Sequence, residues 1–422
     1  MSIRVGLGRG NLRPVRIFVI ARLAWRNVTR HYGRTATALA AIALGVAAIV
    51  IAGGFVHDVY DQFGEAIIHS QYGHLQIYRK GYTAKGTQRP LDFLIDPNAP
   101  VVDRVKRLDG VVTVLARLRF VGTANAGGAD LPIVAEGVQP DLENRLGSFV
   151  HLVEGRLLQP GDRDAVIVGD GVAKALQLHP GMALSLNIVT REGALNSLEF
   201  MTVGIFRSHS KEFDARAVRL PIESAQDLLG TQGENEIVLE LRDTGRTDAT
   251  AAEVSAALAS AGYEVRTWRE LADFYGKTIQ LFDRQFGFLQ GLLLLMIALS
   301  VSSTINAATF ERLPEFGTMI ALGDSQRDVS QLIVTECFIL GILGSAIGVC
   351  AGIALALGIS VTGIEMPPPP NTDIGYVARI RIVPSVLLTA TVVGILAATI
   401  AGLAPAVKIS RTSPVEALGR AL

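Results

Sequence analysis

Four long apolar stretches, set apart by polar sequence, organise the chain. They run from Thr35 to Phe55, from Phe286 to Thr309, from Leu332 to about Val361 and from Pro384 to Val407. Each reaches the roughly 20 residues that a helix needs to cross a hydrocarbon core. Between the first and the second, from His57 to about Tyr275, hydropathy falls and no segment could span. Here the periodicity is that of a packed polar domain. His74–Tyr78 alternates as a half-buried strand, and Ala165–Val168 is a short buried-strand run. Gly171–Leu178 reads as a helix stopped by His179-Pro180-Gly181, and Leu184–Val189 and Phe200–Phe206 read as strands. Glu236–Leu241, a helix carrying Ala252, Val254 and Leu258, and Tyr263–Trp268 form a β-α-β unit. A segment of about 220 residues suffices for one or two α+β cores. The expected fold is therefore a membrane protein of four transmembrane α-helices, with a large α+β extracytoplasmic domain inserted between helices 1 and 2.

Charge sets the orientation. Before Thr35 the chain carries Arg4, Arg9, Arg13, Arg16, Arg22, Arg26, Arg30 and Arg34 with no Asp or Glu, which places the N-terminus in the cytoplasm. Arg22, Arg26 and Arg30 recur on one helical face, and Ile17, Ala21, Ala24 and Val28 gather on the other, the pattern of an interfacial helix on the inner leaflet. The apolar run that follows exceeds a signal-peptide core and reads as a retained span. Four crossings return the C-terminus to the cytoplasm, where Lys408, Arg411 and Arg420 fit the rule, while Arg379 and Arg381 on the outer side run against it. The expected organisation is a basic arm over 1–34, a first span over 35–56, the extracytoplasmic domain over 57–275 and a helix leading into the second span over 276–310. A cytoplasmic coupling helix over 311–330, a third span over 331–361, a Pro-rich outer loop over 362–383, a fourth span over 384–407 and a tail over 408–422 complete it. The prolines around Met366–Asn371 favour a stiff extended turn.

Composition agrees with this class. Hydrophobic residues make up 49% of the chain and charged residues 18%, a balance normal for a chain partly in a bilayer. The formal net charge is zero, so nothing points to nucleic acid. Both cysteines, Cys337 and Cys350, fall in one apolar stretch, which rules out a disulfide framework for the polar domain.

Between the second and third spans lies the polar bridge Glu311–Val329. Pro314 suits the start of a helix and Gly323 the left-handed residue past its end, and Phe316, Met319 and Ile320 fall at i, i+3 and i+4. A helix this short must lie against something, and its apolar face is read as a docking surface. No G-x-x-x-x-G-K-[ST] loop occurs, so this chain is not expected to bind ATP in that way. H-E-x-x-H, G-x-S-x-G and C-x-x-C are also absent. His57, His69, His74, His151, His179 and His209 lack metal-ligand spacing and read as solvated or capping side chains, so no metal and no catalytic residue is expected.

The spans carry packing chemistry instead. Gly341, Gly344, Gly348 and Gly352 line the third, and Gly394, Ala398 and Gly402 the fourth. Such residues let helix backbones approach in lipid, and serve either packing within the chain or dimerisation. Glu336, one turn into the third span, is placed to snorkel or to contact the bridge, a proton-relay role being the alternative.

Glu311-Arg312, Glu315-Phe316-Gly317-Thr318-Met319 and Ala321-Leu322-Gly323 resemble the E-R-x-x-E-[FIL]-G-x-x-x-A-L-G motif of the MacB/FtsX/LolC–LolE permeases of ABC transporters. Val153-Glu154-Gly155-Arg156, Val168-Gly169 and Ala173–Leu178 before Pro180-Gly181 resemble that family's periplasmic core domain, and Ser413–Leu418 its C-terminal tail. The resemblance implies a permease subunit of the bacterial inner membrane, without its own nucleotide-binding or catalytic site. Its layout is closest to LolC/LolE, since MacB carries an ATPase domain in the same chain.

The implied partners are a cytoplasmic ABC ATPase dimer holding ATP and Mg²⁺, a second permease copy or paralogue, membrane lipids, and a periplasmic adaptor or lipoprotein. ATP-driven closure would move the periplasmic domains, for lipoprotein or lipid extraction or export. MacB-like efflux and FtsX-like force transmission to a periplasmic partner are the alternatives within the family. In that reading Glu311 and Glu315 orient the bridge, Arg312 is an electrostatic partner, and Phe316, Met319 and Leu322 fill a groove on the ATPase. From another class, a membrane-anchored sensor or hydrolase would need convergent ionisable groups in the outer domain, and it leaves the apolar bridge without a role.

Overall fold

The structure, a computed structural model, describes residues 13–30, 32–86, 89–97, 99–146, 149–368 and 373–409. Much of the basic arm and the tail from residue 410, including the Ser413–Leu418 resemblance, lies outside them. Helix α1 spans Arg13–Arg30 and α2 Tyr32–Ile67, the latter ending in a single π-helical turn, Ile68–Tyr72. Then come strand β1 (Leu75–Arg79), β2 (Val111–Ala126), β3 (Ala129–Val138), α3 (Pro140–Leu146), β4 (His151–Gly155), β5 (Ala165–Gly169) and α4 (Asp170–Leu176). They are followed by β6 (Ala183–Val189), β7 (Leu195–Arg207), β8 (Ala217–Pro221), α5 (Ile222–Leu229), β9 (Glu236–Leu241), α6 (Thr247–Leu258) and β10 (Tyr263–Thr267). The chain continues through α7 (Asp273–Glu311), α8 (Leu313–Ala321), α9 (Gln326–Thr362) and α10 (Pro384–Ile409). Four of these helices, α2, α7, α9 and α10, are long and apolar enough to cross a membrane.

The chain forms two compact units. One is helical and comprises the described residues within 1–60, 280–365 and 377–422; the other is built on a sheet and comprises those within 61–279 and 366–376. In the sheet unit ten strands run in the order β10-β1-β9-β2-β3-β8-β5-β7-β4, with β6 pairing both β2 and β7. β9 and β10 lie antiparallel on either side of β1, so the expected β-α-β unit is present but split by an intervening strand. The long β2–β3 hairpin has no counterpart in the sequence reading. Gly127 and Gly128, with φ of 58° and 85°, form its two-residue turn, and positive φ at both positions is what makes the turn's twist match that of the strands.

The sheet holds the end of α2 with charge. Arg219 Nη2 donates to the carbonyl of Ser70 at 3.0 Å, Arg117 Nη1 donates to that of Gln71, and Gln76 Nε2 donates to that of Tyr72 at 2.8 Å. The two guanidiniums are themselves anchored: Arg117 to Glu143 at 2.6 Å and Arg219 to Glu136 at 3.0 Å, all four side chains being buried. Carbonyls at a helix C-terminus lack intrahelical donors and carry the negative end of the helix dipole, so buried cations satisfy both needs. Although burial opposes ionisation, Arg219, Arg117 and Arg119 hold the Glu136 carboxyl below its ordinary pKa. His74, expected to be solvated or capping, is buried as well. Its Nδ1 accepts from Leu241 N–H at 3.1 Å and its Nε2 lies 2.9 Å from Thr244 Oγ1.

In the helical unit the small residues bring helices together. Gly344, Gly348 and Gly352 follow Ile42, Val46 and Val50 of α2 turn for turn: an added Cβ would fall 2.8, 2.7 and 2.9 Å from their respective Cβ atoms. Gly341 abuts Ile395, Gly402 abuts Cys337, Gly394 abuts Ser345, and Ala398 is fully buried. Of the two roles left open for these residues, packing within one chain accounts for all seven.

Candidate functional site

The bridge after α7 is defined by three local signals. Arg312 breaks the helix at φ −95°, ψ 9°, and α8 restarts with Pro314 in its first turn, where a missing N–H costs nothing. Past its last turn Gly323 takes φ 111°. Asp324 N–H donates to Met319 C=O and Gly323 N–H to Ile320 C=O, the paired bonds of a Schellman ending. Ser325 and Asp328 then cap α9 reciprocally.

α8 buries its apolar face in its own unit. Phe316 is 2% exposed and Leu313 8%, packed with Val329, Leu332 and Ile333, and Met319 and Ile320 lie half-buried on the same cluster. The expectation that Phe316 fills a groove on a partner is therefore corrected: its side chain seats α8 on the ends of the spans. The opposite edge faces outward. Glu311, Glu315, Thr318, Ala321 and Gly323 are exposed, and Leu322 is 84% exposed. Periodicity identified an apolar face without saying what covers it, and Leu322 lies off that face.

Arg312 also turns inward. Its Nη1 donates to Glu336 Oε2 at 3.0 Å, its Nε donates to Glu315 Oε2 at 3.1 Å, and its guanidinium lies 5.0 Å from the centre of the Phe316 ring. Glu336 accepts a further bond from Asn27 Nδ2 of α1 at 2.5 Å. One carboxylate thus ties the bridge, the third apolar helix and the amphipathic helix together. Asn27 was not singled out in the sequence, where it reads as one polar residue on a basic helix. Gly317, within α8, is buried. Among the described residues no cluster of three or more His, Cys, Asp or Glu could hold a metal ion.

A multi-pass membrane protein with an extracytoplasmic sheet domain, and a short helix bridging its second and third spans, is the architecture of a transporter permease. Family models agree: the MacB-like periplasmic core domain matches residues 35–257, and the FtsX-like permease C-terminal model matches 287–414. The chain belongs to the MacB/FtsX/LolC superfamily of ABC transporter permeases.

It is 24% identical over 426 residues to the macrolide export ATP-binding/permease protein MacB of Nitrobacter winogradskyi, covering 95% of this chain and 60% of that protein. It is 24% identical over 307 residues to the lipoprotein-releasing system transmembrane protein LolC of Xylella fastidiosa, covering 68% of this chain and 73% of that protein. Among solved structures it is similar to the periplasmic region of MacB from Actinobacillus actinomycetemcomitans, with 13% identity, a TM-score of 0.35, and coverage of 51% of this chain and 95% of that one. The chain spans between 29% and 60% of the length of several curated relatives that it matches.

Proposed function

We propose that this permease works with a cytoplasmic ABC ATPase, which holds ATP and Mg²⁺, and that α8 is the element the ATPase moves. The observation that carries the reading is the two-sided construction of α8. Phe316 and Arg312 fix it to the span ends, and Glu315, Thr318, Ala321, Leu322 and Gly323 form an outward edge. A helix so anchored passes displacement to the helices beneath it, and α7 is a continuous helix of 39 residues. Its length at 1.5 Å per residue, roughly 60 Å, exceeds a hydrocarbon core about twofold.

The cargo we favour is a lipoprotein or lipid, a reading supported by the LolC relative, with export of a small molecule as the reading that the MacB relative supports. The permease acts as a pair, with itself or a paralogue. Leu322→Asp tests the docking edge. It is expected to leave membrane insertion and the thermal midpoint unchanged and to abolish co-purification of an ATPase in mild detergent. Phe316→Asp is expected to lower the amount of folded protein, because it places a charge in a filled core. Retention of the ATPase by the Leu322→Asp chain would overturn the assignment of the docking edge.

A further inference from the structure

A groove of about 600 Å³ opens in the helical unit between the amphipathic helix α1 and the ends of α9 and α10. We infer that it is a binding site for one anionic phospholipid. Its walls are apolar: Ile20 comes from α1, Val334 from α9, and Leu403 and Val407 from α10. The two hydroxyls in the lining are engaged by backbone carbonyls. Ser330 Oγ lies 2.9 Å from Gln326 C=O and 3.0 Å from Ala406 C=O, and Thr335 Oγ1 donates to Gln331 C=O at 2.7 Å. This leaves Arg327 and Gln331 to offer polar hydrogens, and neither side chain has a hydrogen-bond or ion-pair partner among the described residues.

The arrangement is graded along the helix axis. Arg327 precedes Val334 by seven residues, roughly 10 Å of helix, so a cation stands at one end and an apolar wall runs away from it toward the middle of the span. A phosphodiester with an acyl chain has that same order of chemistry. Arg327 is the cation of the lining, and its charge favours an anionic over a zwitterionic headgroup. The volume lies within the roughly 300–1,000 Å³ of small-molecule sites. The site's existence is independent of the ATPase reading; only the leaflet that supplies the lipid, the inner one, rests on that topology.

The test uses the full chain in mild detergent, titrated with phosphatidylglycerol and with phosphatidylcholine of identical acyl chains, reading the thermal midpoint and lipid retention by native mass spectrometry. Phosphatidylglycerol is expected to half-saturate at a concentration about tenfold lower, because the choline of phosphatidylcholine offsets the phosphate charge that Arg327 meets. Arg327→Gln is expected to erase that preference, while Arg284→Gln, an exposed arginine outside the groove, keeps it. Val334→Trp and Val407→Trp, which fill the groove from different helices, are expected to weaken both lipids. Equal binding of the two lipids by the unmodified chain, a preference surviving Arg327→Gln, or equal stabilisation by glycerophosphate alone would overturn the proposal. Loss of ATPase retention by Leu322→Asp would be unaffected by any of these outcomes.

Discussion

Arg312 and Glu336 show how one pair of side chains can organise a junction. Their side chains are 12% and 15% exposed, so removing one charge strands the other in a poorly solvated place. Arg312→Gln or Glu336→Gln alone is expected to cost roughly 2–4 kcal/mol, and the double variant less than the sum of the two. Thermal melts of the four chains measure this, and strict additivity would show that the pair is not coupled. At the same scale, burial presses the His74 imidazole down to about 4 from 6.5, and Leu241 N–H already occupies Nδ1. The folded chain therefore takes up this proton later than the unfolded one as pH falls. The contribution to stability is complete above pH 6.5 and is lost as pH drops from 6.5 toward 4. Midpoints measured across that window should fall less steeply in His74→Gln than in the unmodified chain.

At the scale of elements, α9 reaches α2 only because glycine leaves room. A Cβ at Gly348 would sit 2.7 Å from the Ala43 carbonyl oxygen, a backbone atom that cannot step aside. Gly348→Ile is expected to destabilise the helical unit by about 1–3 kcal/mol, while Ile347→Val on the exposed face of the same turn changes little. Differential melts in detergent separate the two. α8 illustrates the limit of pattern reading. The i, i+3, i+4 spacing of Phe316, Met319 and Ile320 correctly marks an apolar face, yet a face packed on its own spans and a face kept for a partner have the same periodicity. The β2–β3 hairpin was hidden for a related reason. Arg117 and Arg119 stand mid-strand and read as surface positions, but Glu143, Glu136 and Glu236 neutralise them from other elements.

For the whole molecule the orientation of the termini decides which side of the membrane α8 faces. With Cys337 and Cys350 replaced by alanine, a cysteine at exposed Glu199 of β7 should react with a membrane-impermeant maleimide in spheroplasts. One at exposed Arg26 of α1 should react only after lysis. The reverse pattern would put α8 on the side away from ATP. The class and the order of spans and domain could be read without coordinates, because a bilayer imposes a length and an apolar composition that are local properties of sequence. The E-R-x-x-E-F-G motif likewise pointed to the family through adjacent residues.

What tertiary structure decided was the partner of each surface. By spacing alone Gly344, Gly348 and Gly352 suit packing within the chain or between chains, and the fold sets α2 against them; Glu336 is placed by the sequence to reach the bridge, but that Arg312 meets it there and that the span ends cover Phe316 is decided by the fold. Apolar periodicity and small-residue spacing are properties of one helix. What covers a face is a property of two, and it is settled by residues far apart in the chain.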